Sequence, residues 1–512
     1  MTPAPIYLIG AGPGDPSLIT VRGLRYLRSA DVVVYDHLVH DRLLRSVRDD
    51  AELIDVGAAA PRSIEQNAIH ILLADKAREG KTVARLKHGD PFIFDSGGTE
   101  ALFLYEQGIP FEVVPGVPIL IGGPCYAGVP LTYPEAGDAL VFIRGHPTET
   151  NVPPDVDWQK VEALGGTVVS YGGGPQLEVV INELLAHGRS PEESTALIID
   201  GTLPTQRTVH GTLREIQTVV HDAQRRGSGV LVVGPVVGFR EYLRWFDSRP
   251  LFGKRILVTR PESQAAELVD RLLDLGAAPI EAPTIKIAPP KDSEPLDEAC
   301  AHAGSFDWIV FTSVNAVEYF MRQLRRGTRD VRTLKDVRLC AVGPATATHI
   351  ESYGLYVDVV PGTHRAEAVV AALREQEPDL STRRILFPHG DLAREVLPKT
   401  LREEGAEVVD VVAYRTVLAD SDRDTGPDVY KILLEQSVDV VTFTSASSVR
   451  NLVKILGEEP AADLLNTTTI AAIGPVTAET ATALNINVQI VPRSYTIPAL
   501  VDAIAEHFRN QS

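Results

Sequence analysis

The first half of the chain alternates two hydrophobic periods. Short β-branched runs such as "ADVVVYD", "KTVARLKHGDP" and "FEVVPG" read as strands, and "QNAIHILLADKAREG" between them carries apolar residues at helical spacing. This alternation predicts an α/β fold with parallel strands. A second round, "TVVSYGGG", "STALIIDGT" and "GVLVVGPVV", runs to about Trp245, and "DSRPLFGKRILVTRPE" then begins a fresh strand. Proline and glycine ahead of "RILVT" suggest a linker at 247–252 between two independently folding parts, 1–246 and 253–512.

The second part repeats itself at a spacing of about 130 residues. "WIVFTSVNAVEYF" is echoed by "VVTFTSASSVRNLV", "LCAVGPATATHI" by "IAAIGPVTAETA", and "VDVVPGTHRAEAVVAAL" by "VQIVPRSYTIPALVDAI". Two similar lobes follow. In each, one strand ends in Phe-Thr-Ser and another in Gly-Pro ahead of Thr and Ala at a helix start. Hydroxyls and helix N-terminal amides at the C-terminal ends of strands suit carboxylate ligands. The competing reading is that these residues only cap helices.

Composition narrows the class. A chain of 512 residues exceeds one hydrophobic core, and three widely spaced cysteines (Cys125, Cys300, Cys340) give neither a disulfide framework nor a Cys-based metal site. No apolar run reaches the roughly 18 residues of a membrane span, and no signal-like segment opens the chain, so a cytoplasmic protein is expected. The formal charge of −19 argues against a nucleic-acid surface. An anionic substrate would need local Arg and Lys working against that field.

The most conspicuous turn is "YLIGAGPGDPSLIT". Its glycines suggest a dinucleotide fingerprint, but Pro13 lacks an N–H for phosphate, Asp15 adds a negative charge, and the third glycine of that fingerprint is missing.

Residues 253–512 resemble uroporphyrinogen-III synthase through "KRILVTRPE", the paired "FTS" and "GPxTA" turns and "ILFPHGDLAREVLPKTLREEGAEVVDVVAYRT", in that order. The resemblance implies two lobes (about 253–286 with 418–512, and about 287–417) joined by a two-stranded connection, with a linear hydroxymethyl tetrapyrrole between them. It implies loss of the terminal hydroxyl, inversion of the last pyrrole through a spiro intermediate, and ring closure without a cofactor or metal. The family tyrosine falls on Tyr414, positioned to assist the departing hydroxyl. Ser313, Thr346, Thr444, Ser445 and Thr477 are implied binding hydroxyls. Arg260 and Arg394 are candidate partners for substrate carboxylates.

Residues 4–246 resemble the tetrapyrrole methylases, most closely uroporphyrinogen-III C-methyltransferase: "LIGAGPGDPSLITVRGLRYLRSADVVVYDHLV", "VARLKHGDPFIF", "GIPFEVVPGV", "YAGVPLT" and "GTLPTQRTVHGTL" cover this half in order. A two-lobed α/β fold holding S-adenosylmethionine is implied, with the glycines explained by close main-chain approach to the cofactor. Pro13, Gly89, Asp90, Ile93 and Gly201 keep the cofactor pattern, Gly172 stands at a cofactor-side methionine, and Asp36 keeps the proton-acceptor position. Dimerisation through this half is also implied. Departures concern charge: the family's basic pair reads Ala58-Ala59, Ser96 replaces an arginine, Thr99 a glutamate, and Asp95 adds a negative group. Pro118 and Ile119 replace a Thr-Ser or Thr-Ala pair, and Arg85 and His88 are the nearby residues that would compensate the lost charge.

Three readings follow: a bifunctional enzyme that makes uroporphyrinogen III and methylates it toward precorrin-2; a synthase whose methylase-like half is a dimerisation or regulatory module; or a non-catalytic two-lobed ligand-binding protein.

Overall fold

The computed structural model describes residues 3–48, 50–57, 65–136, 138–145, 152–222, 228–326, 329–362, 366–391, 395–418 and 428–510. The chain divides into two compact units, residues 1–255 with 271–278 and 505–512, and residues 256–270 with 279–504.

The first unit opens with a five-stranded parallel sheet in the order Glu52–Asp55, Val32–Tyr35, Val83–Lys87, Ile6–Gly10, Phe111–Val114. Both faces are covered, which is why its strands read as unbroken apolar runs. Val32 and Val34 belong to one core cluster and Val33 to the opposite one, and all three are fully buried. A second sheet orders Leu140–Arg144, Thr167–Gly173, Ser228–Val233, Ser194–Ile199 and Arg207–Thr212, with only its first pair parallel.

The repeat lies in two further sheets, which fall in the second unit apart from Arg255 and Ala278 at the starts of two strands. One sheet runs Ala278–Glu281, Arg255–Val258, Val440–Phe443, Thr469–Ala472, and the other Ile285–Ala288, Glu407–Leu418, Arg384–Gly390, Trp308–Phe311, Arg338–Ala341. The duplication is exact in pairing: Cys340 bridges Val359, and 131 residues on, Ala471 bridges Ile490. The long strand Glu407–Leu418 pairs in parallel with Arg384–Gly390 up to Tyr414, then antiparallel with Ile285–Ala288 from Arg415. This strand and Ile285–Ala288 form an antiparallel pair at the sheet's edge.

Among the described residues, no helix is long and apolar enough to cross a membrane, and no group of His, Cys, Asp and Glu is arranged to hold a metal.

Candidate active sites

In the first unit, strand ends of the parallel sheet converge on a cavity of about 520 Å³, at the edge where open α/β sheets bind ligands. Asp36, Arg85, Lys87, His88, Gly89, Asp90, Ile93, Asp95, Ser96 and Pro118 are among its lining residues. Strand periodicity puts Val83, Arg85 and Lys87 on one face. The helix Gly97–Glu106 brings Glu100 to the two cations. Lys87 Nζ is 3.1 Å from Glu100 Oε1, 3.1 Å from Asp95 Oδ1 and 2.9 Å from Ser96 Oγ. Arg85 reaches Glu100 Oε1 at 3.3 Å and Asp36 Oδ1 at 2.5 Å. Gln66 Nε2 donates to the same Glu100 oxygen at 3.0 Å, while Glu100 Oε2 is buried with no hydrogen-bond partner.

These bonds settle the charge question differently from the sequence expectation. Burial alone would raise the Glu100 pKa, but Arg85 and Lys87 outweigh it and hold the carboxyl below its ordinary value. Burial pushes Asp95 up, against the pull of Lys87. His88 does not supply a cation: burial lowers its pKa, and its Nε2 meets the Pro13 carbonyl at 3.2 Å, so the neutral ring donates there. Arg85, the other residue expected to compensate, is bound to Asp36 and Glu100. Thr99 is on the exposed side of its helix, its hydroxyl bonded to the Ser96 carbonyl at 2.7 Å. Ala58 and Ala59 lie outside the described residues.

The glycines have close neighbours within the chain as well. A Cβ on Gly10 would sit 2.5 Å from the Gly116 amide nitrogen and one on Gly116 2.2 Å from the Gly89 carbonyl oxygen. Close approach of backbone to backbone therefore demands glycine at Gly10 and Gly116. Gly89 has φ +71°, the left-handed region. Asp90 ties this pinch together, its two oxygens accepting from the Phe92 amide at 2.8 Å and the Gly116 amide at 2.9 Å. Asp15 caps a short 3₁₀ turn through the Ser17 amide and binds the Tyr126 hydroxyl at 2.8 Å, which explains an acid in the Gly-rich turn without any phosphate. Of the expected cofactor residues, Gly89, Asp90 and Ile93 line the cavity, whereas Pro13, Gly172 and Gly201 do not.

A methyl-donor cofactor carrying a sulfonium charge fits what is present. The cavity is of small-molecule size, three carboxylates (Asp36, Asp95, Glu100) pair with two cations, Arg85 and Lys87, and Asp90 adds a further carboxylate to the lining.

In the second unit the expected hydroxyls cluster at the C-terminal edges of the two sheets. Tyr414 faces Ser313, hydroxyl to hydroxyl, at 3.2 Å. A bulge between His389 and Gly390 precedes the Gly390–Tyr414 pair, and Gly390 leaves room for the tyrosine ring: a Cβ there would be 2.6 Å from Tyr414 Cζ. Ser313 also caps the helix Val314–Leu324 through the Ala316 amide at 3.1 Å, so capping and contact with Tyr414 coexist. Thr346 is buried in the first turn of the helix Pro344–Glu351 at the neighbouring strand end.

In the other sheet, Arg260, Thr444 with Ser445, and Thr477 follow three adjacent strands. Ser445 caps its helix through the Ser448 amide at 3.1 Å, and Thr477 is buried in the first turn of Pro475–Ala483. Burial lowers the Arg260 pKa, and among the described residues its guanidinium bonds only Gln264, at 3.4 Å. Arg394 lies outside the described residues.

The chain thus combines a cofactor-sized crevice on one parallel sheet with a duplicated, hydroxyl-edged pair of α/β sheets. Residues 5–217 match the family described as Tetrapyrrole (Corrin/Porphyrin) Methylases, and residues 266–502 match Uroporphyrinogen-III synthase HemD. The chain is 34% identical to the porphyrin biosynthesis protein HemD of Ruminiclostridium josui over 98% of this chain and 97% of that one. It is 35% identical to the uroporphyrinogen-III C-methyltransferase of Bacillus subtilis (strain 168), over 72% of this chain and 75% of that one. Among solved structures, a Thermus thermophilus uroporphyrin-III C-methyltransferase complexed with S-adenosylhomocysteine matches at 36% identity and a TM-score of 0.39, covering 46% of this chain and 99% of that one. The chain belongs to the family in which a tetrapyrrole methylase is fused to a HemD-type synthase.

Proposed function

We propose that the second unit cyclises hydroxymethylbilane to uroporphyrinogen III and that the first methylates this product with S-adenosylmethionine toward precorrin-2. Residues 1–246 are assigned to the methylase, 247–252 to the linker and 253–512 to the synthase. The observation that carries the synthase assignment is the Tyr414–Ser313 hydroxyl pair at the strand edge. Ser313 holds the phenol while its O–H donates to the departing hydroxyl, and helix-start hydroxyls and Arg260 receive substrate carboxylates.

For the methylase, Gly89, Asp90 and Ile93 would hold the cofactor, which supplies the methyl group. Asp36 stands at the family's proton-acceptor position and anchors Arg85. Assembly as a homodimer through this half belongs to the same proposal.

A second reading, a synthase with an inactive methylase-like half, is favoured by one observation: Arg85 and Lys87 are already bound to carboxylates of the chain. Feeding enzymatically generated hydroxymethylbilane to the full-length protein, with and without S-adenosylmethionine, distinguishes the two. Isomer III carrying two added methyl groups supports the bifunctional enzyme. Isomer III at unchanged mass supports the second reading, and no isomer III refutes both.

A further inference from the structure

The methylase cavity has an engaged carboxylate where a proton must be received. Asp36 Oδ1 is 2.5 Å from Arg85 Nη2, and Oδ2 accepts from the His88 amide at 3.3 Å. Both Asp36 oxygens are thus already engaged, one by the buried Arg85 guanidinium and one by a backbone amide.

The next residue is arranged for the task. His37 lines the same cavity, is half exposed, and has Nδ1 3.1 Å from Asp55 Oδ2. Asp55 is itself fixed, because its Oδ1 accepts from the Gly57 amide at 2.9 Å. A carboxylate at Nδ1 keeps the proton on that nitrogen, so the neutral ring carries its lone pair on Nε2. Among the described residues Nε2 has no hydrogen-bond partner. The backbone is pinned as well: a Cβ on Gly57 would lie 2.2 Å from His37 Cβ, so the strand end closes against the histidine. The chain then leads directly to positions 58 and 59, where alanines stand in place of the family's basic pair.

We propose that His37, oriented by Asp55, is the proton acceptor for methyl transfer in this chain; the proposal rests on the first unit being a methyltransferase. A substrate pyrrole carbon bonds to the methyl carbon as the carbon–sulfur bond breaks and sulfur keeps the electron pair. The proton lost by the alkylated pyrrole system passes to Nε2, and its bonding pair restores the neutral substrate skeleton. Asp55 balances the resulting imidazolium.

The test uses the full-length protein with uroporphyrinogen III, comparing wild type with His37→Gln, His37→Ala and Asp55→Asn, and measures S-adenosylmethionine binding by calorimetry alongside methyl transfer. His37→Gln is expected to lower kcat by about 100-fold or more, the usual range for loss of a general base, with cofactor affinity within about twofold of wild type. Added imidazole should restore part of the rate of His37→Ala. Asp55→Asn, a positioning change, should lower kcat with KM unchanged. Wild-type kcat in His37→Gln, failure of imidazole to raise the rate of His37→Ala, or loss of cofactor affinity in either variant would overturn the assignment of His37. A wild-type protein that transfers no methyl group would instead overturn the methyltransferase reading beneath it.

Discussion

Gly390→Ala tests the synthase site without touching a reactive group. The added methyl carbon would be 2.6 Å from Tyr414 Cζ and 2.8 Å from its hydroxyl oxygen, where ordinary contact begins at 3.4 Å. The ring must therefore retreat by about 0.8 Å, enough to lengthen the 3.2 Å hydroxyl pair with Ser313 beyond hydrogen-bonding range if it moves away from that side chain. A misplacement of about 1 Å at a reacting group costs on the order of 100-fold in rate, equivalent to about 2.7 kcal/mol in the barrier. The overpacking itself should cost about 1–3 kcal/mol of stability, within what a domain tolerates. The assay is isomer III formed per enzyme from enzymatically generated hydroxymethylbilane, with the urea midpoint measured in parallel and Tyr414→Phe as the companion variant. The expected result is a folded Gly390→Ala protein whose kcat falls by about 10- to 100-fold, approaching that of Tyr414→Phe. A folded Gly390→Ala protein with wild-type kcat would show that the position of the phenol is immaterial, and the role given to Tyr414 would fall with it.

Lys87→Met should destabilise the first unit by about 3 kcal/mol or more, because it leaves Asp95 and one side of Glu100 unpaired in a buried setting; a urea midpoint unchanged from wild type would contradict the network. Burial lowers the His88 pKa, so below its ordinary value of 6.5 the unfolded chain takes up a proton before the folded one does. The stability contribution of His88 should accordingly decline as pH drops from 6.5 toward the folded-state value, and His88→Gln should flatten that part of the urea midpoint–pH curve; an identical curve would count against the buried, neutral ring. Burial pushes the thiols of Cys300 and Cys340 up to about 12, while Cys125 is exposed. A thiol reagent at neutral pH should titrate one cysteine in the native protein and three in denaturant, and rapid native labelling of a second would refute the burial of those two.

Elements carried by a local period were legible in the sequence. The triple valine of 32–34, buried on both faces, and the duplicated strand–turn–helix of the second unit were both plain, because each needs only neighbours a few residues away. Contacts between distant segments were not. Ser313 and Tyr414 stand 101 residues apart and meet only because strand order brings their ends together. The Lys87–Glu100 network was missed although a signal existed: two cations at alternate positions of an otherwise apolar strand, on the face that packs the core, require buried carboxylates. Of the glycines recognised in the first loop, Gly10 is held by the Gly116 and Gly89 backbone, neighbours far along the chain that the local sequence does not show. Counting lost basic residues likewise left out Glu100, which claims the cations that stay.

Tyr414 is the last residue of its strand to pair with Arg384–Gly390, and Arg415 is the first to pair with Ile285–Ala288. The backbone that carries the phenol therefore stands where the strand exchanges one partner for another, and it is held by neighbouring strands on both sides of that exchange rather than by a loop.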